Sequence, residues 1–560
     1  MEMISRFVAV TVIAMCAACA LAATYSDDAT ITSISGNNVF NGAGKTIVFE
    51  TTKDTSASGW LSVEGNGDNP VTFRGKDDSD EYGFSYTGET YVGGGGGSGS
   101  LKIESGTFVG GGDVWIAQNG NNTGTVEVVG GSFSSTKNII IGRNANSIGY
   151  FLVGGGTCSF NSLYVSDNNT ARGYMIVTNG NVNLTYDFAI AQKSSSTGTV
   201  TVAGGTVTAK TLFVGAGGFG TLNINGGKFI TNGGDTYFGN TANTSIGVMN
   251  INAGGVFQSG SGENTQKWIQ FASKSGSQAT INLNEGGILR GSKINHNYDG
   301  TGAVYFNGGT FQAIYSDEVF YSKNSDLTVE LKEKGGTIDT QGYTCSINKN
   351  VTVSGCGGLT KKGTGTLTLN AEPTFTGKIT VLPGAGKVIV KGDSQCAIEP
   401  GANTTRSEYA NGQTEYSYTA DDYETTTIGD GTAYVLKTWL ARVYADGYAE
   451  GTIPAGFSTA QSGDAMSGAD AYALGFASIP AASADTMESV SLDGSKMTFG
   501  FKDASMSDVA SRGATVKYYL KSGTSPDSLV DGAKTSSLPT LDISTVSGVK
   551  YYKLAADVTW

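Results

Sequence analysis

Gly198-Thr199-Val200-Thr201-Val202-Ala203-Gly204-Gly205-Thr206-Val207-Thr208-Ala209-Lys210-Thr211-Leu212-Phe213-Val214 is the stretch on which the reading of this chain turns. Its opening alternates strictly, so Val200 and Val202 share one face of a strand while Thr199 and Thr201 share the other. Gly204-Gly205 then supplies a corner where the backbone can adopt positive φ without a Cβ clash. Val207 follows two positions later, and the triplet Leu212-Phe213-Val214 ends the stretch with its outer members on one face and Phe213 on the other.

The same grammar recurs on both sides. A glycine opens successive units at Gly124, Gly149, Gly173, Gly198, Gly220 and Gly247, at intervals of 22 to 27 residues. Corners fall at Gly130-Gly131, Asn179-Gly180, Gly226-Gly227, Gly254-Gly255, Gly286-Gly287 and Gly308-Gly309. Two residues beyond each corner an apolar side chain gives the column Phe108, Phe133, Cys158, Val182, Val207, Phe229, Phe257, Leu289, Phe311. A unit this short cannot bury its apolar face alone, but stacking on its neighbours at the strand spacing of about 4.8 Å makes a continuous core. No helical period runs through the array. An immunoglobulin-like array would need longer domains with hairpin turns, and a propeller blade would be nearer ~40 residues. The expected fold is all-β, a right-handed single-stranded parallel β-helix with coils of about 24 residues, followed by a small C-terminal β-sandwich.

Proline marks the edges: none occurs between Pro70 and Pro373, as expected where backbone N–H groups are engaged in ladders. Arg6, the apolar run from Phe7 and Ala20-Leu21-Ala22 read as a signal peptide over 1–22, cleaved before Ala23. Residues 23–85 are expected to cap the open edge, 86–390 to form the β-helix, 391–485 an irregular connector with one short helix near Ala469 to Phe476, and 486–560 the sandwich. After cleavage Cys158, Cys345, Cys356 and Cys396 remain, too few for a disulfide framework, so buried thiols are expected.

Within 335–390, Gly357-Gly358-Leu359-Thr360-Lys361-Lys362 and Gly363-Thr364-Gly365-Thr366-Leu367-Thr368-Leu369, followed by Phe375-Thr376-Gly377-Lys378-Ile379-Thr380-Val381, resemble the autotransporter-associated β-strand repeat of bacterial surface passengers. The resemblance implies an extracellular β-helix of adhesin type and contributes no catalytic residue. The family's usual membrane-embedded translocator barrel has no recognisable counterpart in 401–560.

A formal net charge of −13, with Lys and Arg scattered singly, leaves no basic stripe for a phosphate backbone, so nucleic acid is not expected as a partner. No stretch of the mature chain reaches the ~18 apolar residues of a membrane helix. Polysaccharide lyases and glycoside hydrolases on β-helices, the alternative reading, need clustered acids with His, Arg or Lys. The single histidine, His296, lies in a polar segment and reads as a solvated loop residue. Of the adjacent carboxylates only Asp317-Glu318 falls inside the solenoid, and it reads as surface charge. No metal or cofactor motif is found: Gly93 to Gly97 is not followed by Gly-Lys-Ser/Thr, and Gly110-Gly111-Gly112-Asp113 has no tandem copies.

The informative surface is the middle position of each triplet. Trp115, Ile140, Tyr164, Ala189, Phe213 and Tyr237 should point outward in one column, with Trp115, Tyr164 and Phe213 on alternate rungs roughly 10 Å apart. Trp115, Tyr164, Phe213 and Tyr237 are the candidate ligand-binding residues, suited to stacking on a polysaccharide or cell-surface glycan. The expected protein is exported, secreted or at the cell surface, non-enzymatic and adhesin-like, with the solenoid as a stiff spacer.

Overall fold

In the computed structural model, the residues described are 22–391 apart from 54, 55, 66 and 96, together with 396–397, 404–418, Phe457 and a set of strands between 423 and 559. Each coil contributes three strands, one to each of three long sheets, and strands of successive coils pair in parallel. Two of the sheets have 14 strands and the third has 18. In the coil quoted above these are Thr197–Val202, Thr206–Ala209 and Thr211–Val214. The fold is the expected parallel β-helix.

The expected inward column is reproduced rung by rung: Phe108 faces Phe133, then Cys158, Val182, Val207, Phe229, Phe257, Leu289 and Phe311 in unbroken register. All are buried. Burying one such side chain contributes about 1.5–3 kcal/mol, and repetition in every coil is what a solenoid substitutes for a single globular core. The column continues through Ile338 to Lys361, a cation in a core position.

Stacking explains the glycine corner. Gly205 takes φ +66, and a Cβ there would lie 2.3 Å from the carbonyl oxygen of Gly180, the same corner one coil earlier. That oxygen is occupied, accepting from the Thr206 N–H at 3.0 Å. The opposite corner follows each triplet and turns through a left-handed residue, as at Ser166 (φ 68), Ala191 (φ 56) and Gly215 (φ 61). Its N–H can still extend the ladder: Ser166 donates to Ile141 and Ala191 to Val165.

The coils start earlier than residue 86. Ala23–Tyr25 pairs with Asn38–Phe40, which pairs with Leu61–Val63, and Thr46–Phe49 pairs with Val71–Gly75, all in parallel within the same long sheets. Irregular coil lengths hide this in the sequence, but Phe40, Phe49, Phe73 and Phe84 carry the core to this end. At the other end, Leu359–Lys362 and Leu367–Leu369 continue the parallel ladders, and Val388–Lys391 receives the antiparallel strand Gln413–Tyr418. Cys158, Cys345 and Cys396 are buried and Cys356 is exposed; no disulfide forms among the described residues.

A second compact unit comprises 381–385, 399–405 and 417–560. Its described strands include a hairpin, Tyr423–Ile428 with Gly431–Leu436, and two antiparallel three-stranded sheets, one led by Met487–Asp493 and Lys496–Phe501, the other by Thr515–Gly523 and Tyr551–Thr559. The hairpin falls within 391–485, expected to be an irregular connector, and the two three-stranded sheets fall within 486–560, the region expected to form the sandwich. The leader 1–22, save its last residue, and the helix near 469–476 lie outside the described residues.

Candidate functional site

The register of the 18-stranded sheet assembles the outward column as the alternation requires. Trp115 faces Ile140, then Tyr164, Ala189, Phe213 and Tyr237 on consecutive coils. Tyr91 precedes Trp115, and Gln270, Asn295 and Tyr321 follow Tyr237. Tyr91 sits in Thr90-Tyr91-Val92, which has the same triplet pattern and was readable in the sequence. Gln270 and Asn295 carried no aromatic signal.

The column divides into three regions. Toward the N-terminus its side chains are engaged by their own neighbours. The Arg143 guanidinium lies over the Trp115 ring at 3.6 Å to the centroid, leaving that residue 7% exposed. Trp115 therefore does not present an open ring face, because the left-handed turn at Gly142 delivers Arg143 from the following coil across it. Tyr91 donates its hydroxyl to Glu89; burial and this bond push its pKa up to about 12.

Toward the C-terminus the column closes with polar bonds. Asn295 donates to Gln270 at 2.7 Å, and Gln270 donates to Asp235 at 3.1 Å. Lys293 pairs with Asp317 at 2.7 Å and stands over the rings of Trp268 and Tyr321. Asp317 also accepts from Gln266, and Glu318 accepts from Asn348, so the adjacent carboxylates are engaged by separate partners.

The middle region carries rings without charged partners. Tyr164, Phe213 and Tyr237 are each half-buried, and the Phe213 and Tyr237 rings stack with centroids 5.1 Å apart and planes 12° from parallel. Between Tyr164 and Phe213 the column carries only Ala189, itself buried, and a depression of about 360 Å³ lies alongside these residues and the turns that follow them. That is at the lower end of the roughly 300–1,000 Å³ range of ligand sites. Asp187, Gln192, Lys193 and Asn240 stand on its rim. Asp187 shares the outward face with Ala189 by alternation, while Gln192 and Lys193 follow the left-handed turn at Ala191. On the neighbouring coil burial raises the pKa of Asp167, opposed by the nearby Lys193 and Arg143 charges.

His296 is not a solvated loop residue. It ends the strand Lys293–His296, where alternation turns Asn295 outward and both Ile294 and His296 inward, and it is fully buried. Gly302 makes room for it, since a Cβ there would come within 3.0 Å of the imidazole Cδ2. Burial lowers its pKa, with Asp326 opposing. An imidazole without solvent contact cannot exchange protons with a ligand on the outward column.

Among the described residues no group of three or more His, Cys, Asp or Glu side chains is arranged to hold a metal ion, and no helix is long and apolar enough to cross a membrane. No family model matches the chain, and no curated protein or solved structure matches it either, so the repeat resemblance of residues 335–390 stands on its own segments.

Proposed function

We propose that this is an exported, non-enzymatic structural or adhesin-like protein of a bacterial surface or extracellular space, in which the β-helix acts as a stiff spacer and its outward column contacts a glycan. The observation that carries this reading is the stretch from Tyr164 to Tyr237. Four consecutive coils place rings and one small residue in strict register around a depression with a polar rim. Parallel ladders fix the coil spacing at about 4.8 Å, so rings on such a column repeat with a period that a regular polymer can match. The repeat resemblance in 335–390 supports surface exposure. Arg6, the apolar run from Phe7 and Ala20-Leu21-Ala22, read as a signal peptide cleaved before Ala23, support export.

The test is retention of the purified protein on insoluble polysaccharides, with the Tyr164→Ala/Phe213→Ala/Tyr237→Ala variant beside it. Retention of the native protein and its loss in the variant are expected, without soluble sugar appearing. Release of oligosaccharides would overturn the non-enzymatic part, and equal retention of the variant would remove the column as the binding face.

A further inference from the structure

We infer that the corner leading into the strand Arg172–Val177 is a subsite for a carboxylated sugar, a hexuronate whose carboxylate is held by Arg172. It stands independently of the aromatic column. Arg172 opens a strand of one of the 14-stranded sheets, whereas Tyr164 and Phe213 belong to the 18-stranded sheet. Two rows of residues build the subsite. In one, register sets Ile148, Arg172 and Thr197 side by side on consecutive coils. In the other, two residues earlier in each coil, Asn146, Thr170 and Ser195 turn the chain at φ 63, 60 and 62. These residues line a depression of about 470 Å³, within the roughly 300–1,000 Å³ of ligand sites. Asn146, Thr170, Arg172 and Ser195 are exposed, so it opens to solvent, and its three coils span about 9.6 Å. Thr170, β-branched in the left-handed region, is a backbone outlier of the kind that gathers at ligand sites, and its hydroxyl accepts from the Asn146 N–H at 3.2 Å.

The depression holds an arginine with nothing to bind. Arg74 pairs with Asp78 and Glu104, Arg290 with Glu263 and Arg406 with Glu408, while Arg143 covers Trp115. Among the described arginines Arg172 alone has neither a carboxylate nor a ring as partner. Asp167, the nearest carboxylate along the chain, feels the charges of Lys193 and Arg143 instead. The side chains of Asn146, Ser195 and Thr197 likewise make no hydrogen bond among the described residues. A guanidinium takes a carboxylate through two parallel N–H bonds, and one cation without a second beside it suits a single negative charge. The surrounding hydroxyls and amide match the hydroxyls of a sugar, and Ile148 and the threonine methyls match its C–H groups. An acidic peptide would gain its backbone bonds at a sheet edge, and the Arg172 strand has none, being paired on both sides.

The probes are β-1,4-linked tri-glucuronate, cellotriose, which is the same trimer with neutral hydroxymethyl groups, and tri-glutamate, each titrated calorimetrically into the full chain at low ionic strength. The native protein is expected to bind tri-glucuronate at least about ten-fold more tightly than either of the others. Arg172→Gln is expected to weaken it about ten-fold, Arg172→Lys by less, and Thr197→Val about three- to ten-fold, all with unchanged thermal unfolding because both side chains lie outside the core. The Tyr164→Ala/Phe213→Ala/Tyr237→Ala variant should bind tri-glucuronate as the native protein does; loss of binding there places the acid on the column and overturns the subsite. Unchanged affinity in Arg172→Gln or equal binding of cellotriose overturns it as well, and equal binding of tri-glutamate overturns it in favour of an acidic peptide. A native protein that binds no tri-glucuronate also overturns it, while retention on insoluble polysaccharides decides the column separately.

Discussion

Alanine at Gly205 and alanine at Gly254 separate the two costs that this fold places on its corners. Both glycines lie in the corner before the second strand of their coils, Gly205 directly before it and Gly254 one residue further back, at φ +66 and +74. In that conformation alanine costs about 1–2 kcal/mol, partly offset by about 0.4–1 kcal/mol from the stiffer unfolded chain. At Gly254 this is the whole effect, because the nearest atom to a new Cβ is the Gly226 Cα at 3.5 Å, an ordinary contact. At Gly205 the Cβ would meet the Gly180 oxygen at 2.3 Å and the Asn179 carbonyl carbon at 2.8 Å, both backbone atoms with no rotamer to escape into. Relieving that overlap pushes apart two coils joined by the Thr206-to-Gly180 hydrogen bond, and overpacking of this kind costs about 1–3 kcal/mol. Gly254→Ala should therefore lose about 1 kcal/mol and Gly205→Ala about 2–4 kcal/mol. Equilibrium guanidinium denaturation compares the two, with hydrogen exchange at residues 206–209 and 256–259 localising the loss, since repeat arrays can unfold in parts. Equal losses at the two sites would refute the stacked-carbonyl explanation and leave only backbone conformation.

His296 gives a pH signature. Its folded pKa lies below the unfolded value of about 6.5, so the unfolded chain binds more protons in acid. Stability should be steady above about pH 6.5 and fall as the pH drops toward the lowered folded pKa; unfolding midpoints at pH 5 and 7.5 should converge in His296→Phe relative to the native protein. Lys361 acts in the alkaline range, its pKa lowered by burial to about 8 while Asp339 and Cys345 oppose the fall. Its penalty, about 3 kcal/mol at 1.36 per unit, should be complete below pH 8 and disappear as the pH rises toward 10.5, so Lys361→Met should flatten the rise in stability between those values. Asn250 donates to Asn223 and accepts from Asn282, both at 2.7 Å, so Asn250→Ala should cost about 1–2 kcal/mol in denaturant titrations, with both neighbouring amides losing a partner.

The inward columns were legible because a strand has a period of two and a buried face accepts only apolar side chains at that period. Phe108 to Phe311 could be read without any structure, and the register of every rung agrees. Lys361 was hidden for the complementary reason. A charged residue at an inward position reads as a break in the pattern, yet its ammonium reaches Thr340 Oγ1 at 2.8 Å and the carbonyls of Lys362 and Gly363, acceptors supplied by the turn that follows it. His296 misled because Asn295 and Asn297 beside it make the segment polar, while alternation alone turns the imidazole inward. Arg143 over Trp115 lay beyond strand-by-strand reading. It depends on where a left-handed corner delivers the next residue, and that corner is occupied by glycine, serine or alanine without a common sequence signature.

The outward column stands apart because the fold asks nothing of it. Inward positions are set by burial, corner glycines by the carbonyl stacked beneath them, and unit-opening glycines such as Gly198 by the Val165 oxygen, 2.7 Å from where a Cβ would lie. A middle-of-triplet residue meets none of these demands, and accordingly the column carries tyrosine, tryptophan, isoleucine, alanine, phenylalanine, glutamine and asparagine at structurally equivalent places. Elsewhere identifiable partners engage it: Arg143 covers Trp115, Glu89 bonds Tyr91, and Lys293, paired with Asp317, stands over Trp268 and Tyr321. From Tyr164 to Tyr237 Ala189 is buried, the ring side chains make no hydrogen bond or cation contact among the described residues, and the polar groups beside them include several without bonds of their own. Half-buried rings next to unengaged hydrogen-bonding groups add little to the stability of a coil whose core is already complete.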